Sequence, residues 1–227
     1  VKITVVAATG GIGRHLLDQA LAAGHHATVL VRNPDRLTPA QRASDRIRIV
    51  TADLAAPDPA AVARAVDGAD AVLSGLGARS NAEAGVAERG TRALVRAMRS
   101  TGTRRIVVVS AAPVGTVPSP DRPTPPRYDP GDGFLMRHLF GPAVKAALRP
   151  YYADLARMED ELRGSGLDWT VVRPPRLTDG PGTGAVRTAR GQNVRGGWRV
   201  TRADVARQML RLLDDPQAVR EVIAVAR

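Results

Sequence analysis

The sequence predicts an α/β fold: a doubly wound parallel sheet with helices on both faces. Three observations carry that expectation. Short β-branched runs alternate with stretches whose apolar residues recur at helical spacing. A glycine cluster, Gly10 to Gly13, follows directly on the first such run. The length, 227 residues, suits one large α/β domain, and 44% hydrophobic with 24% charged residues is the composition of a folded chain.

In order along the chain, residues 2–7 (KITVVA) read as a buried strand that the glycines end. Residues 14–23 read as a helix with Leu16, Leu17, Ala20 and Leu21 on one face, stopped by Gly24. Strands follow at 27–31 and 46–50, a helix at 58–66, a strand at 70–74, a helix at 84–99 and a strand at 105–109. Strands alternating with helices imply βαβ units with right-handed crossovers. Residues 113–130 hold seven prolines and are expected to form neither a helix nor a central strand. Helices are expected at 133–148 and 152–163, and a sixth strand at 168–172 is ended by Pro174 and Pro175. Residues 178–197 read as a glycine-rich loop with one short strand. A helix at 203–213 opens with Thr201 as its N-cap, and 221–225 reads as a last strand. No repeat or linker divides the chain, so residues 1–227 are expected to be one domain, with 113–150 as a lid or substrate insertion.

Composition narrows the function classes. The formal net charge is +11, but only Lys2 and Lys145 among the 33 basic residues are lysines. The arginines are spread from Arg14 to Arg227, which fits compositional bias better than the clustered charge of a nucleic-acid surface, so no specific nucleic-acid partner is expected. Absence of cysteine excludes disulfides, thiolate zinc sites and cysteine nucleophiles. No apolar run reaches the ~18 residues of a membrane span. The first residues read as a strand rather than a leader, so cytoplasm is the expected compartment. No His/Asp/Glu set has ligand spacing, and no metal is expected. His25 and His26 fall in a turn and receive no role. Aromatics make up only 3% of the chain, yet Tyr128, Phe134, Phe140, Tyr151 and Tyr152 crowd into 25 positions. That concentration points to a specialised surface over residues 128–152.

The segment Ala7 to Gly13 (AATGGIG) lies between a strand and a helix, the context in which a glycine fingerprint implies a Rossmann-type dinucleotide site. Free N–H groups at the helix start attract a pyrophosphate. Gly10 lets the backbone approach the phosphates, and Gly13 lets the helix pack close to the strand. Ala7 replaces the usual first glycine, the mildest departure, at the risk of straining the turn. An ordinary βα turn with spare glycines is the competing reading. The second strand ends in Val31-Arg32-Asn33, where an NAD enzyme usually places an acid. A guanidinium suits a 2′-phosphate, so Arg32, with Arg14 and Arg36 assisting, predicts NADP(H) rather than NAD(H). The alternative is a solvated arginine in an arginine-rich chain. Asp53-Leu54 after the third strand and Gly75-Leu76-Gly77 after the fourth lie at strand carboxyl ends, where such sheets bind ligands.

These segments (AATGGIG, VLVRNPDRL, Asp53, VLSGLG, VVVS ending at Ser110, and GLDWTVVRPPRLTDGP) resemble the atypical short-chain dehydrogenase/reductases over nearly the whole chain. The resemblance is to their NAD(P)H-binding, NmrA-like group, and within it to the biliverdin-IXβ/flavin reductase branch. Leu76-Gly77-Ala78-Arg79, the Arg173-Pro174-Pro175 turn, Asp179 and the loop from Gly180 to Gly184 carry that last step. The cofactor-lining set is then Ala8, Thr9, Gly10, Gly11, Ile12, Gly13, Arg32, Asn33, Arg36, Asp53, Leu54, Gly75, Leu76, Gly77, Ser110, Pro174 and Pro175. The chain departs from most short-chain dehydrogenases in lacking a tyrosine with a lysine four residues on, since Leu155 and Ala156 stand four after Tyr151 and Tyr152. The resemblance implies that the flavin/biliverdin branch also dispenses with that pair and passes hydride directly to an electrophilic aromatic acceptor.

Ser110, Tyr151 and Tyr152 are the catalytic candidates. Ser110 either orients a ligand or satisfies the strand end. One tyrosine is expected to reach the pocket and the other to pack. His138 is a lesser proton-donor candidate. The expected function is an NADPH-dependent oxidoreductase acting on a planar conjugated small molecule: a flavin, quinone, tetrapyrrole or secondary-metabolite ring. The alternative is a non-catalytic NADP(H) sensor of NmrA-like type. The chain is expected to be a monomer or weak homodimer that does not bind membranes.

Overall fold

The computed structural model describes residues 1–78, 80–134, 137–138 and 141–227. The strands are β1 (Lys2–Val6), β2 (His26–Val31), β3 (Ile47–Thr51), β4 (Ala71–Ser74), β5 (Arg105–Val109), β6 (Asp168–Arg173), β7 (Arg176–Thr178), β8 (Arg187–Arg190), β9 (Arg199–Thr201) and β10 (Glu221–Ala226). The helices are α1 (Gly13–Ala22), α2 (Pro39–Arg42), α3 (Pro59–Val66), α4 (Val86–Thr101), α5 (Gly141–Ala147), α6 (Arg149–Arg163) and α7 (Arg202–Arg211).

Eight strands form one sheet in the order β3-β2-β1-β4-β5-β6-β10-β8. Every pairing in it is parallel except β10 with β8. From β1 the chain builds outward through β2 and β3, then crosses back to place β4 on the other side of β1. Strand order therefore reverses between β1 and β4, and the crevice at their carboxyl ends is where open α/β sheets take ligands.

Successive strand residues point to opposite faces, and both faces are covered, so the strands read as unbroken apolar runs. On one face Val6, Val72, Ile106, Val108 and Val171 meet Val62, Val66, Leu94, Met98, Leu155 and Leu162 of α3, α4 and α6. On the other, Ile3, Val5, Val29, Leu73, Val107, Val172 and Ile223 meet Leu16, Leu17 and Ala20 of α1 and Val205 and Met209 of α7. Thr201 caps α7 as expected, accepting from the Asp204 N–H. Helix α4 has no side-chain cap from its own Gly85. Asp154 of α6 supplies it, accepting from the N–H groups of Ala87 and Glu88 at 3.1 and 2.9 Å.

The second half departs from expectation at the start of α6 and in a small extra sheet. Helix α6 starts at Arg149 rather than 152, because Pro150 falls in its first turn, where a missing N–H breaks no helical bond. Tyr151 and Tyr152 thus sit inside a helical turn. Of the helix expected over 133–148, the described residues Phe134, Arg137, His138 and Gly141–Ala147 are helical; Phe140, like Arg79, lies outside the described residues. Residues 178–197 hold the one short strand expected there, β8, which pairs antiparallel with β10 at the sheet edge, while β7 and β9 pair in a separate two-stranded sheet. The proline-rich stretch opens with a 3-10 turn at Ala112–Thr116 and otherwise holds one bridge, Ser119 with Arg122. Its far end is tied down by Asp129, which accepts from the N–H groups of Gly131 and Asn193.

Candidate functional site

The turn after β1 is built by close backbone approach. Gly10 N–H donates to the Ala7 carbonyl at 2.8 Å, and Arg14 N–H donates to the Gly10 carbonyl. A Cβ on Gly13 would stand 2.0 Å from the Ala7 oxygen and 3.0 Å from the Ala8 Cα, so only glycine lets α1 start this close to β1. A Cβ on Gly75 would come within 3.1 Å of the Gly13 nitrogen, so the β4 loop packs on the same turn. Ala7 adopts φ 57°, in the left-handed region where a Cβ costs about 1–2 kcal/mol. The strain anticipated from the missing first glycine is located there. The Gly11 and Ile12 N–H groups make no backbone hydrogen bond among the described residues, and α1 has no side-chain cap. Open N–H groups and a glycine-lined approach fit the pyrophosphate of a dinucleotide. Above the turn, the Arg202 side chain lies against Gly11, with its Nε 2.8 Å from where a Cβ would be.

At the end of β2, Arg32, Asn33 and Arg36 are all exposed. Asn33 Oδ1 accepts from the Asp35 N–H and caps the 3-10 turn Pro34–Arg36. Asp35 pairs with Arg42, and neither Arg32 nor Arg36 has an ion pair among the described residues. Two guanidiniums without an ion pair among the described residues therefore stand at the carboxyl end of β2. Asp53 is exposed and uses Oδ1 to accept from the Ala55 N–H. Leu54 and Leu76 are buried against Gly90 of α4, where a Cβ would come within 2.4 Å of Leu76 Cδ2. Their packing holds both loops under the crevice. Gly77 is half-buried beside Tyr151.

Ser110 directly follows β5 and is buried. Its N–H donates to the Val172 carbonyl, and its hydroxyl donates to Glu159 Oε1 at 2.7 Å. Glu159 is wholly buried on α6 and takes a two-pronged contact from Arg173 at the end of β6, plus Arg163 at 2.6 Å. Burial alone would push this carboxyl up. The Arg173 charge and its hydrogen bonds, Arg163 and the Ser110 hydroxyl outweigh burial and hold it below its ordinary value. Pro174 is buried, its carbonyl accepting from the Ala112 N–H, and Pro175 is half-buried.

Tyr151 is half-buried, with its hydroxyl 3.9 Å from where a Cβ on Gly77 would stand. Its ring meets that of Tyr152 edge-on at 5.4 Å. Tyr152 is buried in the core with Leu155 and Met158. Burial, with Asp154, pushes the Tyr151 phenol up, and burial with Tyr151 pushes Tyr152 up to about 12. Both are neutral hydroxyls at ordinary pH. Lys145 Nζ donates to Thr116 Oγ1, and Lys2 sits at the opposite end of β1. His138 lies between Phe134 and Tyr128 at 4.7 and 5.4 Å with its ring tilted to both, and Arg127 sits over the Tyr128 ring. His26 begins β2, and His25 precedes it, at the end remote from the crevice. Among the described residues no His/Cys/Asp/Glu group is arranged to hold a metal, and no helix is long and apolar enough to cross a membrane.

Sequence reasoning overlooked the partnership of Glu159 with Arg173. The signal was present: Glu159 interrupts the apolar stripe Leu155, Met158, Leu162, and Arg173 ends an apolar strand. Charges in such places are buried only when paired. Arg202 carried no comparable signal.

Residues 7–216 match a family described as NAD(P)H-binding. A 3-diazoavenalumate denitrifying reductase from a Streptomyces species is 34% identical over 202 residues, covering 82% of this chain and 59% of its own length. Among solved structures, a short-chain dehydrogenase/reductase from Veillonella parvula in complex with NADP superposes with a TM-score of 0.77 at 20% identity, over 100% of this chain and 94% of its own. The anaerobillin reductase ChuY from Escherichia coli O157:H7 superposes with a TM-score of 0.74 at 23% identity, over 100% and 97%. Both structures share the fold described above.

Proposed function

The chain belongs to the NAD(P)H-binding family, and from that premise we propose that it is an NADPH-dependent reductase of planar conjugated acceptors. Flavins, quinones, tetrapyrroles and secondary-metabolite rings are the acceptor class. The observation that carries this reading is the glycine-lined turn at the β1/β4 crossover, flanked by Arg32 and Arg36, neither of which has an ion pair among the described residues, while the nearby Asp35 is taken by Arg42. The denitrifying and anaerobillin reductases named above support a reductase over other uses of the dinucleotide.

Bound NADPH supplies a hydride at nicotinamide C4. The chain's own residues bind and orient. Backbone N–H groups at Gly11 and Ile12 meet the pyrophosphate. Arg32 and Arg36 meet the 2′-phosphate. Ser110, with its proton committed to Glu159, offers an oxygen lone pair to the ligand. Tyr151 faces the crevice beside Gly77, and Tyr152 packs behind it. Neither phenol has a lysine to lower its pKa; both are pushed the other way. These shifts support reduction without a tyrosine–lysine relay, the completing proton coming from solvent or a nearby donor. The aromatic residues Tyr128, Phe134 and His138, close together in residues 113–150, are the candidate contacts for a flat acceptor.

The test is steady-state NADPH oxidation against a panel of flavin, quinone and tetrapyrrole acceptors, with Tyr151→Phe alongside. Turnover with at least one acceptor, largely retained in Tyr151→Phe, is expected. A second reading, a non-catalytic NADP(H) sensor, draws on the same missing proton relay. Binding that prefers NADP⁺ over NADPH, without turnover on any acceptor, would establish it and remove the first.

A further inference from the structure

The β7–α7 region brings charged groups to the mouth of the glycine turn that the site described so far leaves unused. Asp179 Oδ1 accepts from Arg202 Nη1 at 2.9 Å and lies 3.7 Å from Arg14 Nη2. Arg202 is the first residue of α7, and Arg14 the second of α1. Two guanidiniums from different helices thus share one carboxylate oxygen directly above Gly11, where the α1 N–H groups open.

This placement is built rather than incidental. Gln19 of α1 donates to the Ala203 carbonyl at 2.9 Å, fixing the α7 start against α1. Asp204 accepts from the N–H groups of Thr183 and Gly184 at 3.0 and 2.9 Å, and from the Thr201 hydroxyl. That anchors the loop carrying Asp179 to the same helix turn. The Arg202 stem fills the space beside Gly11 that a side chain there would need. Asp179 itself is 74% exposed, so its pairing is an open, screened one that contributes little to stability.

We propose that Arg202 is a pyrophosphate-binding residue, and that Asp179 is an internal anion that holds Arg202 and Arg14 in place until the dinucleotide displaces it. The proposal rests on the dinucleotide reading above. The pyrophosphate carries more charge than one carboxylate and can engage the guanidinium fork while it accepts from the α1 N–H groups. NAD and NADP share that pyrophosphate, so the contribution of Arg202 is the same for both, unlike that of Arg32.

The experiment is calorimetric titration of the full chain with NADP⁺ and with NAD⁺, with thermal melting to verify folding. Arg202→Gln is expected to weaken both by a similar factor of about ten, the size of one charge-assisted contact. Asp179→Asn removes the competitor and is expected to tighten both about two- to threefold, as an exposed pair is released. In the double variant the Asp179→Asn gain disappears, because it acts through Arg202. Arg202→Lys keeps the charge without the fork and is expected to lose about threefold, which serves if Arg202→Gln does not fold. Unchanged binding in both Arg202 variants overturns the proposal. So does a loss confined to NADP⁺, which would move Arg202 to the 2′-phosphate, and so does weaker binding by Asp179→Asn. If the unmodified protein binds neither dinucleotide, the dinucleotide reading itself fails, an outcome distinct from these.

Discussion

Gly13→Ala tests the close approach on which the site depends. The added Cβ would meet the Ala7 oxygen at 2.0 Å, the Ala7 carbonyl carbon at 2.7 Å and the Ala8 Cα at 3.0 Å. Ordinary contact lies near ~3.5 Å, so α1 must retreat by about 1–1.5 Å or the turn must open. All three obstacles are backbone, and no side-chain rotation relieves them. In an unobstructed helix the same change would stabilise by about 0.5–1 kcal/mol. Overpacking costs about 1–3 kcal/mol, and here the moved helix also lifts the buried Leu16 and Leu17 off the sheet. The steric cost wins, for a net loss of about 2 kcal/mol. For a domain of this size that lowers Tm by roughly 4–8 °C. The retreat also misaligns the Gly11 and Ile12 N–H groups, so NADP⁺ affinity falls by about tenfold or more. Thermal melting and calorimetric titration read both effects. A variant as stable as the parent, with unaltered affinity, would refute the reasoning.

Ala7→Gly should act in the opposite direction: relief of the left-handed backbone, about 1–2 kcal/mol, exceeds the ~0.4–1 kcal/mol of added unfolded-state freedom, for a net gain of about 0.5–1 kcal/mol. Denaturant unfolding measures it, and a loss of stability would show that the turn is not strained at Ala7. Arg32→Asp should move preference from NADP toward NAD, read as the ratio of dissociation constants; an unchanged ratio removes Arg32 from the 2′-phosphate. Glu159→Gln should destabilise at neutral pH by about 3–5 kcal/mol, because Arg173 is left with a neutral partner in a buried site. The Glu159 carboxyl is held below its ordinary value, so its contribution is full above the unfolded value near ~4.3 and is lost as pH falls through the lower folded value. The parent's Tm should therefore fall on acidification through that range, and the variant's should fall less. Equal acid slopes would count against the assignment.

The parallel half of the fold was legible because its signals are local. A β-branched run, a glycine turn and an apolar helical stripe each announce themselves within about ten residues, and the βαβ rule orders them. The glycine turn was readable to the residue, including the weak point at Ala7. The start of α6 was placed three residues late, after Pro150, whereas Pro150 lies inside the first turn, where its missing N–H breaks no helical bond. The proline-rich stretch and the loops after β6 are held by pairings of distant residues, such as Asp129 with Asn193 and Asp204 with Thr183 and Gly184. No period in the sequence encodes these. Ser110 was placed at its strand end, but its partner Glu159 lies 49 residues on, so the state of its hydroxyl was invisible. Arg202 was hidden among many other arginines. Its position over Gly11 follows from the packing of α7 on α1, not from any motif.

In the proposed function, NADPH binds at the β1/β4 crossover and its hydride passes to a flat acceptor without a tyrosine–lysine relay. Oxidation of NADPH deuterated at the transferred nicotinamide C4 position, compared with unlabelled NADPH under single-turnover conditions with a conjugated acceptor, tests it most directly. Acceptor-dependent oxidation that deuterium slows is expected in the parent and in Tyr151→Phe alike. NADPH that binds yet is not oxidised by any acceptor of the panel, or oxidation abolished by Tyr151→Phe, would contradict it.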